Sequence, residues 1–185
     1  MPLFTSQREK LLWLYAFIVL IAITVTLVFA DGNAFLMVNQ NIQIVVFWIA
    51  FILIGLTTLI HGLKTKPHKL EIVIWFGVFA VYLLLLLRLG HVERSHLMEY
   101  SILAIFIHKA LIERNLNTRI FLSGLFAFLI TFSIGFIDEL IQLFIPSRVF
   151  DPIDILFNTL ATFMTITTSL LIHWIRKKFR KNKES

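Results

Sequence analysis

The stretch GFIDELIQLFIPSRVFDPIDILFN, Gly135 to Asn158, joins two runs of membrane-grade hydrophobicity and places Asp138, Glu139, Gln142, Arg148, Asp151, Asp154 and Asn158 at or just inside their ends. Its flanks read as membrane helices. Its polar residues are too many for a lipid-facing surface, because an ionisable or amide side chain within or bordering a span costs free energy unless it is paired or lines a polar cavity. The fold question is therefore how many such helices there are and where their polar ends meet.

The rest of the chain fits the same reading. Of 185 residues, 58% are hydrophobic and 15% charged, with a mean hydropathy of +0.87, against about 45–50% apolar and about 25% charged in soluble domains. Cysteine is absent, which excludes thiolate nucleophiles, thiolate metal sites and disulfides. Catalysis would have to use histidine, carboxylates, hydroxyls or a bound metal. The run Leu11–Ala30 follows a basic flank and ends Val28-Phe29-Ala30, in the manner of a signal peptide. It exceeds the typical apolar core of about 7–15 residues and matches the roughly 20 that span a bilayer, so it reads as a retained anchor.

Further apolar runs recur at Ile42–Ile60, Leu70–Leu87, Leu97–Ile112, Ile120–Ile137 and Ile155–Ile175. The expected fold is all-α: a polytopic membrane protein of six transmembrane helices, one domain over 1–185, with both termini cytoplasmic. The fourth run is the weakest. It holds Glu99 and His108, and at about 1.5 Å per residue it covers only about 24 Å, which predicts that both polar residues lie near its ends. Orientation follows from the bias of Lys and Arg towards the cytoplasm. In the six-span arrangement 14 of the 17 basic residues fall on the side of the termini, leaving only Arg88, Arg94 and Arg148 on the other. Seven of the eleven acids, Asp31, Glu93, Glu99, Asp138, Glu139, Asp151 and Asp154, lie on that outer side. The basic pI of 9.8 thus describes loops beside anionic lipid, with membrane lipid as the partner and no call for nucleic acid.

Two polar clusters share the outer side. One is RLGHVERSHLMEY, Arg88 to Tyr100; the other is the opening stretch. Helical spacing puts His96 on one face with Glu99 and Tyr100, Glu139 with Gln142, and Asp154 with Asn158. Asp151 before Pro152 suits an N-cap followed by proline at the first helical position. Asp138 reads as a solvated helix-end charge, and Arg88 and Arg94 as snorkelling side chains. His61 and His68 read as loop residues, and His108 and His173 as inner-interface residues. Arg148 is the expected cationic partner, since its fork can hold carboxylates or a lipid phosphate.

His96-Leu-Met-Glu-Tyr100, followed by D-E-L-I-Q, P-S-R-V-F-D and D-I-L-F-N, resembles the VanZ-like family of small bacterial membrane proteins over about Glu93 to Thr162. The resemblance implies a bacterial cytoplasmic membrane protein with a polar signature at His96, Glu99, Tyr100, Glu139, Gln142, Arg148, Asp151, Asp154 and Asn158. In an enzyme, His96, Glu99, Glu139 and Asp154 would be the catalytic set, and Tyr100, Gln142, Arg148, Asp151 and Asn158 would bind substrate. Where the family usually has glycine three residues after the asparagine, this chain has Ala161, still small enough for close helix packing. The founding member is associated with low-level resistance to the glycopeptide teicoplanin, and the family is similar, through its polar helix ends, to membrane enzymes proposed to act on lipid head groups.

Three functions stay open at this level. One is hydrolysis or transesterification at a phospholipid or polyprenyl-phosphate head group, with His96 as base or nucleophile and Arg148 on the phosphate; Asp154 with Glu139 could instead hold a divalent cation. The second is a non-catalytic envelope protein whose polar network binds a ligand or locks helix register. The third, a small transporter, fits least, because no internal repeat is visible and transporter sites usually lie near the midplane. Substrate, metal dependence and oligomeric state are not written in the sequence. The topology is directly testable: a reporter fused after Ser185 should be cytoplasmic, and Ser147→Cys should react with an impermeant thiol reagent from outside. Labelling of Ser147→Cys only after the membrane is opened would reverse the arrangement.

Overall fold

A computed structural model describes residues 4–29, 67–115, 119–145 and 150–184, with isolated helical positions between 45 and 60. Among these the chain is all-α: α1 (Gln7–Phe29), α2 (Lys69–Arg88), α3 (His91–Arg114), α4 (Ile120–Gln142) and α5 (Pro152–Glu184). They correspond to the first, third, fourth, fifth and sixth apolar runs. The second run, Ile42–Ile60, lies mostly outside the described residues, as do His61 and Asp31. Three helices, α2, α4 and α5 over Pro152–Phe179, are long and apolar enough to cross a membrane.

Three helix starts have visible local causes. Ser6 opens α1, its hydroxyl accepting the Glu9 amide at 3.0 Å while the Glu9 carboxylate accepts the Thr5 amide and hydroxyl. This is close to a capping box, with the return bond displaced by one residue. His68 is no idle loop residue: its Nδ1 accepts from the Leu70 amide at 3.2 Å at the head of α2, and its ring stacks on Phe179. At the head of α5, Asp151 Oδ1 accepts the Ile153 amide at 2.8 Å and Pro152 takes the first helical position, as its spacing foretold.

α3 is the centre. It packs against α1, α4 and α5, and buries Leu97, Tyr100, Leu103, Ala104, Ile107, His108 and Ala110. Being enclosed by helices, it needs little lipid-compatible surface, and this is why the least apolar run can be a long helix. The expectation that Glu99 and His108 sit near its ends is corrected. The helix overruns the apolar run at both ends, leaving each residue well over a turn inside, and His108 is fully buried.

α4 shows what lipid does to the usual inside-outside rule. Its buried residues are Ser123, Gly124, Ala127, Thr131, Gly135, Asp138, Glu139 and Gln142, all small or polar. Phe121, Phe126, Phe136 and Ile137 are exposed. Large apolar groups gain nothing by leaving lipid for protein, whereas small residues let backbones approach and polar ones need partners. Gly124 accordingly lies against Ile166 and Leu170 of α5.

Polar links order the bundle from end to end. The start of α1 is clasped to the end of α3: Ser6 donates to Glu113 at 3.0 Å, and Arg114 lies 3.5 Å from the fully buried Glu9. The start of α2 is joined to the far part of α5 by Arg176 Nε and Glu71 Oε2 at 2.7 Å. Midway, the Tyr82 hydroxyl meets Ser101 at 2.8 Å and Thr165 at 3.0 Å, tying α2, α3 and α5 together.

Burial pushes the Glu9 carboxyl up, but hydrogen bonding with Thr5 and Trp13 and the positive charge of Arg114 together hold it below its ordinary 4.5. A carboxylate depressed in this way stabilises the fold above its unfolded pKa, and the contribution is lost as pH falls through the folded one. Glu9→Gln should lower stability in detergent at neutral pH by about 1.5–3 kcal/mol, the range for hydrogen bonds to a charged group. The difference from wild type should fade as pH drops below the usual carboxylate range. Thermal unfolding of both proteins against pH checks this.

Candidate functional site

The polar residues gather at the bundle end opposite the Glu9 clasp, where α3 and α5 begin and α4 finishes. α3 contributes His96 and Tyr100, α4 contributes Asp138, Glu139 and Gln142, and α5 contributes Asp154 and Asn158; all are buried. Short helical spacings aim them inward together: Gln142 Nε2 donates to Glu139 Oε1 at 2.7 Å, one turn away on α4. The second oxygen of Glu139 faces the Asp151 amide at 3.4 Å, so the cap of α5 also steadies the end of α4.

At the centre, His96 Nε2 lies 3.6 Å from Asp154 Oδ2. One nitrogen of His96 and one oxygen each of Glu139 and Asp154 all lie within 4.8 Å of one another, from three different helices. Beside them the Tyr100 hydroxyl donates to Asp138 Oδ2 at 3.1 Å, and the Tyr100 ring stacks on His96 with centroids 6.2 Å apart. Gly135 makes this approach feasible. A Cβ there would stand 3.0 Å from Tyr100 Cε1 and 3.1 Å from Asn158 Cβ.

Some polar atoms at the site are left over. His96 Nδ1 and both side-chain polar atoms of Asn158 are buried without a hydrogen-bond partner among the described residues. Such atoms are rare in folded proteins and usually mark a ligand, ion or water position. The set also carries several carboxylates in close array, which in a low-dielectric setting calls for compensating positive charge.

Of the residues singled out from sequence, His96, Glu139 and Asp154 form the core, with Tyr100, Gln142, Asp151 and Asn158 around it. Tyr100, Gln142 and Asp151 spend their polar atoms on protein partners. Glu99 is half-buried; Asp138 acts on it electrostatically, and it stands outside the central three. Arg148 lies outside the described residues. Two residues escaped sequence reading. Asp138 is 6% exposed and bonded to Tyr100 rather than solvated. The signal was its adjacency to Glu139, since neighbours on a helix point about 100° apart and both had to face protein. Gly135, one turn before, was the companion signal.

The helices and this site define an α-helical membrane protein with a polar centre at one end. A family model described as VanZ/LLP1 matches residues 12–173, and the chain belongs to that family. No curated protein and no solved structure matches it. Ala161, at the family's usual glycine position, is fully buried, so alanine is accommodated at this packed position.

The two packed glycines of α4 should respond differently to alanine. At Gly124 the new methyl would meet flexible ends of Leu170 and Ile166 at 3.2–3.3 Å, which can yield, and helix propensity improves by roughly 0.5–1 kcal/mol. At Gly135 it would meet a buried ring and a Cβ fixed to the α5 backbone. Gly135→Ala should therefore destabilise, by about 1–3 kcal/mol, while Gly124→Ala stays near neutral; thermal unfolding in detergent separates the two.

Proposed function

We propose that this chain is a six-span protein of the bacterial cytoplasmic membrane, with both termini inside, whose outward polar site binds the phosphate head group of a lipid or polyprenyl carrier and hydrolyses or transesterifies it. The observation that carries this is the convergence of His96, Glu139 and Asp154 from three helices beside polar atoms without partners. Beside the three groups, His96 Nδ1 and both polar atoms of Asn158 have no partner among the described residues, which leaves them open to a ligand, ion or water.

The topology has its own support. α1 and α2 both start at the end where α3 and α5 finish, as the Glu9–Arg114 and Glu71–Arg176 pairs require. Two successive helices with the same direction need a crossing between them, and helical positions between 45 and 60 are the segment available for it. The basic residues of the loops then lie with the clasps and the acidic site lies outside, at head-group depth. Arg148 is assigned to the phosphate on its chemistry. Protection against a teicoplanin-type glycopeptide would follow from a changed envelope lipid or precursor.

In this reading the imidazole of His96 is indispensable, either taking a proton from the attacking hydroxyl or holding a cation that activates it. Tyr100, Gln142 and Asp151 are positioning residues for Asp138, Glu139 and the α5 start. One observation favours a purely structural site: the Tyr100–Asp138 bond and the Asp151 amide on Glu139 join helix ends by themselves. His96→Gln separates the readings, because it keeps approximate volume but loses the imidazole. The variant should accumulate normally while any wild-type lipid change, measured by lipid mass profiling against a deletion strain, falls by at least about 100-fold in rate. Full retention of that change at normal abundance would make the site structural.

A further inference from the structure

We infer that His96, Glu139 and Asp154 bind a first-row divalent cation of the Mn2+ or Zn2+ kind. The inference rests on the head-group reading for what the ion does, and on the geometry alone for whether it binds.

Three protein ligands around an open position are the pattern of a working metal centre, as distinct from a closed structural one. The donor set selects the ion class. Imidazole nitrogen favours zinc and its neighbours, carboxylate oxygen favours manganese, magnesium and calcium, and one nitrogen with two carboxylates falls where Mn2+ and Zn2+ overlap. Bonds of about 2.0–2.2 Å in a tetrahedron separate adjacent donors by roughly 3.3–3.6 Å. His96 Nε2 and Asp154 Oδ2 already stand 3.6 Å apart. The whole set, within 4.8 Å, needs side-chain adjustments of about an ångström and no movement of helices.

Two further observations point to a ligand beside His96, which is itself buried at 8% exposed. Asn158, one turn below Asp154 on the same face of α5, is 2% exposed with both polar atoms unpartnered. Glu139 is held by Gln142 and the Asp151 amide, each oxygen keeping a lone pair, which is the outer support that orients a ligating carboxylate. A dication would also neutralise the two carboxylates of the triad. With the imidazole bound to the ion, His96 acts as a ligand, and a phosphate oxygen or water takes the open position.

Wild-type protein, stripped with chelator and reconstituted in nanodiscs, should take up about one Mn2+ or Zn2+ per chain in a saturable titration. Asp154→Asn and His96→Gln should each weaken binding by at least the roughly 10–100-fold that losing even an outer-shell partner costs. Independently of any variant, pulsed paramagnetic resonance of the Mn2+-loaded wild type should show coupling to an imidazole nitrogen. Absence of saturable uptake, unchanged affinity in both variants, or Mn2+ without nitrogen coupling overturns the site. Ion binding without any lipid change in cells leaves this inference standing and sinks the head-group reading. A His96-dependent lipid change retained by chelator-stripped protein does the reverse.

Discussion

Every polar group carried into a bilayer must find its partner within the protein, because no water is there to supply one. That constraint organises this molecule more than apolar burial does. α4 turns Ser123, Thr131, Asp138, Glu139 and Gln142 inward and most of its phenylalanines outward. α3, which holds the weakest of the apolar runs, is the centre, where His96, Tyr100 and His108 are enclosed. The helix ends then take on separate tasks. One end carries the Glu9, Glu71, Arg114 and Arg176 clasps, and the other carries the His96, Glu139 and Asp154 convergence.

Separation of those two ends gives the site its character. The clasps pair opposite charges, Arg176 with Glu71 at 2.7 Å and Arg114 with Glu9 at 3.5 Å. The opposite end is built from equally close spacings, yet its central imidazole and asparagine are left with unspent capacity. Within the site, Asp138 is bound to Tyr100 of another helix, while the polar atoms of Asn158 have no partner among the described residues.

Much of this was legible in the sequence, and the limits are physical. Local rules worked: the Asp151-Pro152 cap, the Glu139–Gln142 turn and the Asp154–Asn158 face all appear as spacing requires. What the sequence left out were particular pairings set by which helix lies beside which. Hydropathy marked α3 as the weakest span because it measures affinity for lipid, and α3 is surrounded by protein. Ser6 and Glu113 are 107 residues apart, so no local pattern could pair them. Asp138 looked solvated for the same reason: its partner, Tyr100, comes from another helix.

Gly135 has a consequence for how the site can vary. Tyr100 from α3 and Asn158 from α5 both close on α4 where it has no side chain, so the gap between them is gauged by bare backbone. Substitution at that position can only narrow the gap. A chain of this architecture that accommodates a bulkier ligand must gain the room from the other wall, by shortening Asn158 or Tyr100 or by moving the start of α5. The closest approach of the three helices is set by α4, and what can be adjusted lies in the helices on either side.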